Sequence, residues 1–377
     1  MMKLKPGLLP ALICLATLAF PVSGFAQKKK GNDPSTVKWK IDTVVRGITI
    51  PFGMAFLPGG DMLVTDRSEG KIYRVSGKQK QLIGNLPEVH AKDQGGMMDI
   101  VLHPDYPTNP WIYFSYSAIR EGKNGTVVER AKLEGKNLAA RQVLFSAHPF
   151  YTNGAHYGCR LALRDGYLYI TIGERYSLKD SAQTLGNHLG KVLRLKEDGT
   201  VPSDNPFVNR PGALPQIWTY GHRNPQGLAF HPSTGELWEG EHGPKGGDEL
   251  NLLEPGKNYG WPVITYGADY SGAPVGEGIT EKTGLEQPIH YYKPSIGPSG
   301  MVFYTGNAFP EWKGSLFQGA LALTHLNRLV LEGNKVVKEE RLFEKMKWRV
   351  RNVAQGPDGF LYIAVDGGMI LRIRPAR

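Results

Sequence analysis

A dense group of side chains that can bind cations lies in the segment from Glu239 to Glu249. The segment contains four carboxylates, an imidazole and several glycines with accessible carbonyls, and a second stretch with a tyrosine follows at 257–262. Carboxylates so close together repel one another unless something positive holds them. Calcium can do so, because it accepts about six to eight oxygen ligands in loose geometry. The segment therefore predicts a calcium site, with ordinary turn chemistry as the alternative for this run alone.

A second polar cluster, at 221–227, precedes this segment and interrupts a pattern of apolar strands. It contains a histidine, an arginine, an asparagine and a glutamine. Buried polar groups need partners, so two such clusters close together in the chain predict one lined cavity. Turn formation explains either cluster alone but not the pair.

Short β-strands must position these clusters, since the chain beyond its N-terminus shows no sustained helical periodicity. One phrase recurs, in which an apolar residue precedes a turn with Pro or Asp and Gly, and an alternating strand follows. Its six copies lie at 56–66, 102–116, 163–172, 230–238, 309–317 and 356–366.

This repeat predicts an all-β fold, a six-bladed β-propeller of four-stranded antiparallel sheets. A two-sheet sandwich is the alternative, but it gives the phrase no reason to recur. In a closed propeller the first strand can complete the last blade, so we expect residues 37–45 to pair beside 370–373. Such a closure would hold the ring together without a disulfide.

The N-terminus of the 377-residue chain has the pattern of an export signal. Two lysines precede an apolar run, and the small residues at 24–26 fit a signal-peptidase site. We expect a signal peptide at 1–26, a flexible tail at 27–36 and the propeller at 37–377. A membrane anchor is the alternative, but the apolar run is shorter than the roughly 20 residues that a span needs. The predicted location is the periplasm or the exterior, with no membrane span.

The charge balance predicts an anionic ligand. Lysine and arginine number 45 against 35 aspartates and glutamates, a formal excess of +10. The basic residues are dispersed, and the export signal also argues against a nucleic-acid partner. Cys14 would leave with the signal peptide, so Cys159 is the only thiol of the mature chain and no intramolecular disulfide can form.

Five ordered motifs carry a resemblance to a known family. The chain resembles the soluble, pyrroloquinoline quinone (PQQ)-dependent sugar dehydrogenases of the glucose/sorbosone dehydrogenase family, and looks closest to the periplasmic aldose sugar dehydrogenase branch. The resemblance covers nearly all of the mature chain, and the shared order makes it specific. The motifs lie at 94–99, 156–160, 221–227, 241–261 and 349–352.

The resemblance implies oxidation of aldose sugars at C1 to the lactone, by hydride transfer to PQQ. His156 matches the family's general base, and an imidazole that titrates near neutrality suits that task. Arg223 and Asn224 match positions beside the quinone, where a guanidinium can stabilise developing negative charge. The alternatives are a purely structural turn histidine at 156 and a surface ion pair for Arg223.

The resemblance also assigns further contacts to the cofactor. Gln94, Arg349 and Arg351 match such contacts, and arginines two residues apart on one strand face suit the cofactor's carboxylates. Tyr270 matches a contact in the aldose sugar dehydrogenase branch, with ordinary sheet packing as the alternative.

Two calcium sites are implied as well. Gly243 and Pro244 match the backbone carbonyls that hold the calcium bridging cofactor and protein, whereas Glu249 and Tyr259 match a second, structural calcium site. Proline suits the first role because it offers a carbonyl without a competing N–H. The implied partners are a small sugar substrate and an electron acceptor that the motifs do not identify, and no motif sets an oligomeric state.

Three departures from the glucose-oxidising members concern the substrate rather than the redox core. Ala155 stands where they carry an acid, Ala322 at the approximate place of a lysine, and Arg175 where a glutamine is found.

Two other functions remain open for such a propeller, namely calcium-dependent ester or lactone hydrolysis and glycan binding without catalysis. A hydrolase, however, has no evident use for anion-binding arginines.

Three further histidines lie in turn sequences and are expected to be structural: His103, His231 and His242.

Overall fold

The computed structural model describes Met1 and residues 37–376, of which 37–376 form six four-stranded antiparallel sheets. Five sheets each use four consecutive strands, and the sixth combines the last three strands with the first. The predicted all-β, six-bladed propeller is therefore confirmed. Apart from Met1, the predicted signal peptide and tail lie outside the described residues. Among the residues that are described, no helix is long and apolar enough to cross a membrane.

The strands are numbered in chain order, and the blades are numbered from the first complete sheet. Blade 1 contains β2 (Pro51–Phe56), β3 (Met62–Asp66), β4 (Lys71–Ser76) and β5 (Gln79–Leu82). Blade 2 contains β6 (Met97–Leu102), β7 (Ile112–Arg120), β8 (Lys123–Glu134) and β9 (Asn137–Ser146). Blade 3 contains β10 (Leu161–Arg164), β11 (Tyr167–Ile172), β12 (Lys191–Lys196) and β13 (Ile217–Tyr220).

The second half of the ring is built in the same way. Blade 4 contains β14 (Pro225–Phe230), β15 (Leu237–Glu241), β16 (Asp248–Leu253) and β17 (His290–Tyr292). Blade 5 contains β18 (Pro298–Phe303), β19 (Leu316–Ala320), β20 (His325–Glu332) and β21 (Lys335–Leu342). Blade 6 contains β22 (Val350–Gln355), β23 (Leu361–Val365), β24 (Met369–Pro375) and β1 (Trp39–Arg46). Short 3-10 helices lie at Lys179–Gln183, Pro310–Trp312 and Glu344–Met346.

The ring is closed by antiparallel pairing of β1 with β24. Ile41 lies opposite Ile373, and Val45 lies opposite Ile370. The first strands of the blades contact one another in cyclic order, from β2 through β22 and back to β2. Backbone hydrogen bonds and apolar pairs thus join the two ends of the propeller, as expected from the two sequence patterns.

The recurrent phrase marks the turn between the first and second strands of every blade. In blade 1 this turn contains Gly59 and Gly60, both at positive φ (+94° and +95°), which residues with a Cβ rarely adopt. The strand that follows, β3, is buried along its whole length. Burial on both faces is expected, because each blade packs between two neighbours.

Arg160 ties four blades together near the centre of the ring. Its guanidinium donates hydrogen bonds to the carbonyls of Phe52 (3.2 Å), Gln226 (2.7 Å) and Arg351 (3.1 Å). It also pairs with the Asp99 carboxylate at 3.3 Å. These partners belong to the first strands of blades 1, 4, 6 and 2, respectively. Since Arg160 and Asp99 are both buried, we expect this contact to be central to stability.

Candidate active site

Two adjoining cavities contain most of the predicted site residues. Gln94, Asn224, Arg349 and Arg351 line a cavity of about 200 Å³, which we call the arginine cavity. Arg223, Pro244 and Tyr270 line a cavity of about 240 Å³, which we call the aromatic cavity because Tyr176 and Trp261 also line it. The two cavities adjoin at Arg223 and Asn224, which are consecutive in the chain.

A larger cavity, of about 750 Å³, lies at the closing strands β1 and β24. None of the predicted site residues lines it. Its Asp42 carboxylate is already paired with Arg372 (2.9 Å) and Arg374 (2.7 Å). The largest of these three cavities is therefore not the one that contains the predicted site residues.

His156 is held by a buried carboxylate. Its Nδ1 lies 3.0 Å from Oε1 of Glu174, which is fully buried. Because a carboxylate accepts, we assign the proton to Nδ1, which leaves the lone pair on Nε2. Burial lowers the pKa of His156, Glu174 opposes that shift, and the charge of Arg223 adds to it. The imidazole is therefore neutral at neutral pH and able to accept a proton.

The loop that carries His156 is braced on both sides. The backbone N–H of His156, which has a φ of +49°, donates to Oε1 of Gln94 at 3.0 Å. The Arg175 guanidinium donates to the carbonyls of Ala155 (2.9 Å) and Asn124 (3.0 Å). Arg175, one of the departures from the glucose-oxidising members, thus holds the loop of His156 and lines neither cavity.

Arg223 lies beside the carbonyls that were predicted to bind calcium. Its Nη1 donates to the carbonyls of Gly243 (2.7 Å) and His242 (3.1 Å), while its Nε is buried without a hydrogen-bond partner. The side chain is 4% exposed and forms no ion pair among the described residues. The alternative of a surface ion pair does not describe this arginine.

The turn after Gly243 is held by Asp248. This carboxylate accepts hydrogen bonds from the backbone N–H groups of Gly243 (2.9 Å) and Gly297 (2.7 Å). Burial raises the pKa of Asp248 to about 6, although these hydrogen bonds oppose the shift. The Pro244 carbonyl accepts from the Ser295 hydroxyl at 3.1 Å. Each carbonyl retains a second lone pair that can bind a cation.

Arg349 and Arg351 share one carboxylate. Arg351 binds Asp366 in a bidentate manner, with Nε 3.0 Å from Oδ1 and Nη2 2.7 Å from Oδ2. Arg349 reaches the same Oδ2 at 3.3 Å and the Leu321 carbonyl at 2.8 Å. The two arginines therefore lie on one face, as their spacing predicts. Burial opposes ionisation of Asp366, but the two guanidiniums hold its pKa below the usual value.

Glu249 and Tyr259 lie outside both cavities, in an acidic cluster of blade 4. Glu249 is directly opposite Glu241 on the neighbouring strand, and Nδ2 of Asn251 lies within 3.4 Å of carboxylate oxygens of Glu239, Glu241 and Glu249. Burial and the charge of Glu241 raise the pKa of Glu239 and Glu249 well above the usual value. Oε1 of Glu239 and Oδ1 of Asn251 are buried without partners.

His222 completes this cluster. Its Nδ1 lies 3.1 Å from Glu241 and 3.9 Å from Glu239, and its ring stacks on Tyr259 at 4.8 Å. The Tyr259 hydroxyl donates to the Leu252 carbonyl at 2.6 Å, so the phenol is already satisfied within the fold. Strand alternation explains why three of the four acids of the segment gather here while Asp248 points to the turn.

The remaining predicted residues have simpler surroundings. Tyr270 is 62% exposed at the rim of the aromatic cavity, so sheet packing does not account for it. His103 pairs with Glu197 at 2.9 Å, and His231 accepts backbone N–H groups of its own turn. His242 lies 2.7 Å from the Pro298 carbonyl, and burial lowers its pKa to about 3. His103 and His231 have the structural contacts expected for them, whereas His242 departs from the expectation because it also lines the arginine cavity.

Sequence reasoning missed the residues that act through others. Glu174 and Asp366 follow the ends of their strands, where polar residues read as turn formers. Arg67 follows β3 in the same way, yet it lines the arginine cavity. The sequence does contain a signal that could have identified these three residues. Each of them lies just beyond the end of the second strand of its blade. In a propeller these positions gather at one end of the ring.

Comparison with known proteins identifies the family of the chain. The family model described as Glucose / Sorbosone dehydrogenase matches residues 48–372. The chain is 39% identical over 351 residues to aldose sugar dehydrogenase YliI of Escherichia coli (strain K12), which covers 91% of this chain and 94% of that protein. The apo-form structure of the soluble aldose sugar dehydrogenase from Escherichia coli matches with a TM-score of 0.86 and 38% identity, over 90% of this chain and 100% of that one.

A second similar structure contains PQQ. The PQQ-bound form of aldose sugar dehydrogenase from Streptomyces coelicolor matches with a TM-score of 0.72 and 30% identity, over 90% of this chain and 98% of that one. Fold, motif order and full-length sequence similarity therefore agree, and the chain belongs to the glucose/sorbosone dehydrogenase family.

Proposed function

We propose that this protein is a PQQ-dependent aldose dehydrogenase that oxidises the C1 hydroxyl of a cyclic sugar to the lactone. The observation that carries the proposal is a neutral histidine, held by buried Glu174, beside a cavity in which guanidinium groups outnumber carboxylates. Similarity to enzymes named aldose sugar dehydrogenase supports the same reaction class. Export to the periplasm is part of the proposal, and the mass of the exported chain, beginning at Gln27, tests it.

The residues present fit the cofactor. Arg349 and Arg351 carry two positive charges against the single charge of Asp366. The buried, unpartnered Nε of Arg223 is a donor that an electron-rich oxygen would satisfy. In this assignment Gln94, Asn224, Arg349 and Arg351 hold the cofactor in the arginine cavity, and Tyr270 contacts it from the rim of the aromatic cavity. The chemistry that PQQ supplies when bound is acceptance of the hydride from C1.

His156 moves the proton in this scheme. Its Nε2 accepts the proton of the C1 hydroxyl, because Nδ1 is engaged by Glu174. The Glu174 carboxylate then stabilises the imidazolium that forms and keeps the ring in position. Loss of the hydroxyl proton and of the hydride from C1 leaves a C1 carbonyl, which is the lactone.

Arg223 supplies fixed positive charge. A guanidinium stays protonated throughout, so it stabilises negative charge rather than transferring a proton. Its two hydrogen bonds to backbone carbonyls hold it in place before substrate arrives. Such preorganised charge is often a large contribution to catalysis. We assign Arg223 to the quinone oxygen that gains electron density.

We propose two calcium sites with different roles. The Gly243 and Pro244 carbonyls, in a turn shaped by Asp248, would hold the ion that bridges cofactor and protein. The acidic cluster around Glu249 would hold a structural ion, because its orphaned Glu239 and Asn251 oxygens are suited to a hard cation. Tyr259 borders this second site through its ring, which stacks on His222.

Reconstitution of purified protein tests the proposed function. We expect dye reduction only when PQQ, calcium and an aldose with a free C1 hydroxyl are all present. The matching methyl glycoside, in which that hydroxyl is blocked, is the control and should be inactive. Hydrolysis of a lactone or ester without PQQ would instead support a hydrolase. Sugar binding without any dye reduction would support a binding protein.

Calcium removal should weaken cofactor binding. An ion held by the Gly243 and Pro244 carbonyls would also supply positive charge to PQQ, so chelation with EGTA should raise the Kd of PQQ and added calcium should restore it. Titration calorimetry measures the Kd of PQQ after chelation and again after calcium is added. Unchanged PQQ affinity after exhaustive chelation would contradict the bridging role of Gly243 and Pro244.

The Glu249→Gln variant should separately lose part of the rise in Tm that calcium produces.

A further inference from the structure

The arginine cavity has a third arginine, Arg67, that the sequence motifs do not include. Arg67 lies directly after β3 of blade 1, whereas Arg349 and Arg351 belong to blade 6, its neighbour in the ring. All three side chains line the same cavity of about 200 Å³. The cavity is therefore bordered by guanidinium groups from two blades.

Neither nearby carboxylate forms an ion pair with Arg67. Both oxygens of Asp366 are occupied by Arg349 and Arg351. Asp66 precedes Arg67 in the chain, but its carboxylate accepts from the backbone N–H groups of Thr49 (2.7 Å) and Ile50 (3.2 Å) and from Ser68. The acids around the cavity are thus committed to other donors.

The Arg67 guanidinium has no acceptor of its own. Its Nε is buried without a hydrogen-bond partner, and no ion pair to its side chain occurs in the described part of the chain. Burial, with the charges of Arg351 and Arg349, lowers the pKa of Arg67 to about 10, although the charges of Asp366 and Asp66 oppose this shift. A half-buried charge with like-charged neighbours and an unused donor is unfavourable unless an anion binds.

We propose that Arg67 is a third anion-binding residue of the cofactor site, which donates charge-assisted hydrogen bonds to a carboxylate of the bound quinone. The proposal rests on the proposed function, since PQQ carries three carboxylates that can meet guanidinium groups on two sides of the cavity. Ala322, beside Leu321 of the cavity wall, contributes no charge from blade 5. Arg67 supplies the additional charge from blade 1 instead. A planar guanidinium can also bind a carboxylate through two parallel hydrogen bonds.

Direct measurement of cofactor affinity tests this assignment. In calcium-containing buffer, Arg67→Gln should raise the Kd of PQQ by about 10- to 100-fold, the range expected for losing hydrogen bonds between charged groups. The matched control is Arg74→Gln in the same blade, which removes a guanidinium paired with Asp61 at 2.7 Å outside the cavity. The control should bind PQQ like the parent. The trimethyl ester of PQQ should bind the parent weakly and should distinguish parent from Arg67→Gln much less than PQQ does.

The outcomes separate this proposal from the proposed function. The Tm of the cofactor-free Arg67→Gln protein should equal or exceed that of the parent, because the substitution removes a like charge. A parental Kd in Arg67→Gln, with weakened binding in Arg351→Gln, would overturn the role of Arg67 and leave the proposed function intact. A parent protein that does not bind PQQ at all would overturn both. If Arg67→Gln folds poorly, Arg67→Lys keeps the charge without the fork, and a parental Kd in that variant overturns the forked contact.

Discussion

Replacing His156 by Ala should lower the rate of quinone reduction by about 10²- to 10⁴-fold, because the reaction loses its proton acceptor. PQQ affinity should change little, since the His156 side chain bonds Glu174 and does not line the arginine cavity. Stopped-flow reduction of bound PQQ by sugar isolates this step from later reoxidation. Its rate in the parent should also fall as the pH drops through the lowered pKa of His156, because protonation removes the base.

Arg223→Ala is the informative contrast. It should weaken PQQ binding and slow the reduction step together, because the guanidinium holds charge in both the ground and transition states. A His156→Ala protein that reduces PQQ as fast as the parent at neutral pH would show that another residue is the base. Equal effects of both substitutions on PQQ affinity would also contradict the separate roles.

Replacing Arg160 by Met should destabilise the fold by roughly 3–5 kcal/mol, the cost of breaking a buried ion pair on one side. The substitution leaves the Asp99 carboxylate buried without its cation and removes hydrogen bonds to three other blades. Burial already raises the pKa of Asp99, and loss of Arg160 removes a charge that opposes this shift. Urea denaturation measures the change in the free energy of unfolding.

Arg164→Met is the matched control for this prediction. Arg164 belongs to strand β10, which directly follows Arg160. The side chain of its ion-pair partner Asp165 is 81% exposed, so the loss of unfolding free energy should be small. The double variant Arg160→Met with Asp99→Asn should recover part of the stability, because it removes the uncompensated buried charge. A double variant no more stable than Arg160→Met alone would show that the buried charge is not the cause.

The fold was predictable because its signal is repeated. The phrase that includes Gly59 and Gly60 recurs in each blade and marks the same turn. The closing contact between β1 and β24 could be expected because both termini of the propeller show strand patterns. Radial repetition thus turns many weak local signals into one architecture.

The residues proposed for the site were identified from the motifs. His156 and the Arg349 and Arg351 pair were identified by resemblance, and their spacing agrees with the contacts found. Glu174 and Arg67 were missed because their contact with His156 and their place in the cavity wall, respectively, depend on loops that meet across the ring. A polar residue after a strand has the same local sequence whether it caps a turn or lines a cavity.

The contacts of Arg175 also could not be predicted from its position in the sequence. Its position in the sequence associates it with substrate choice, but its guanidinium is engaged by the Ala155 carbonyl and by Asn124. The side chain therefore positions the loop of His156, and it reaches its partners only because two blades adjoin. One-dimensional spacing contains no information about such a contact.

Anaerobic single-turnover reduction of enzyme-bound PQQ tests the central claim most directly. Protein reconstituted with PQQ and calcium is mixed with an aldose in the absence of any electron acceptor, and the quinone absorbance is followed. We predict reduction of one quinone per active site, with one equivalent of lactone formed and no reaction with the methyl glycoside. Lactone formation without change in the quinone spectrum, or no reduction by any aldose, would contradict the account.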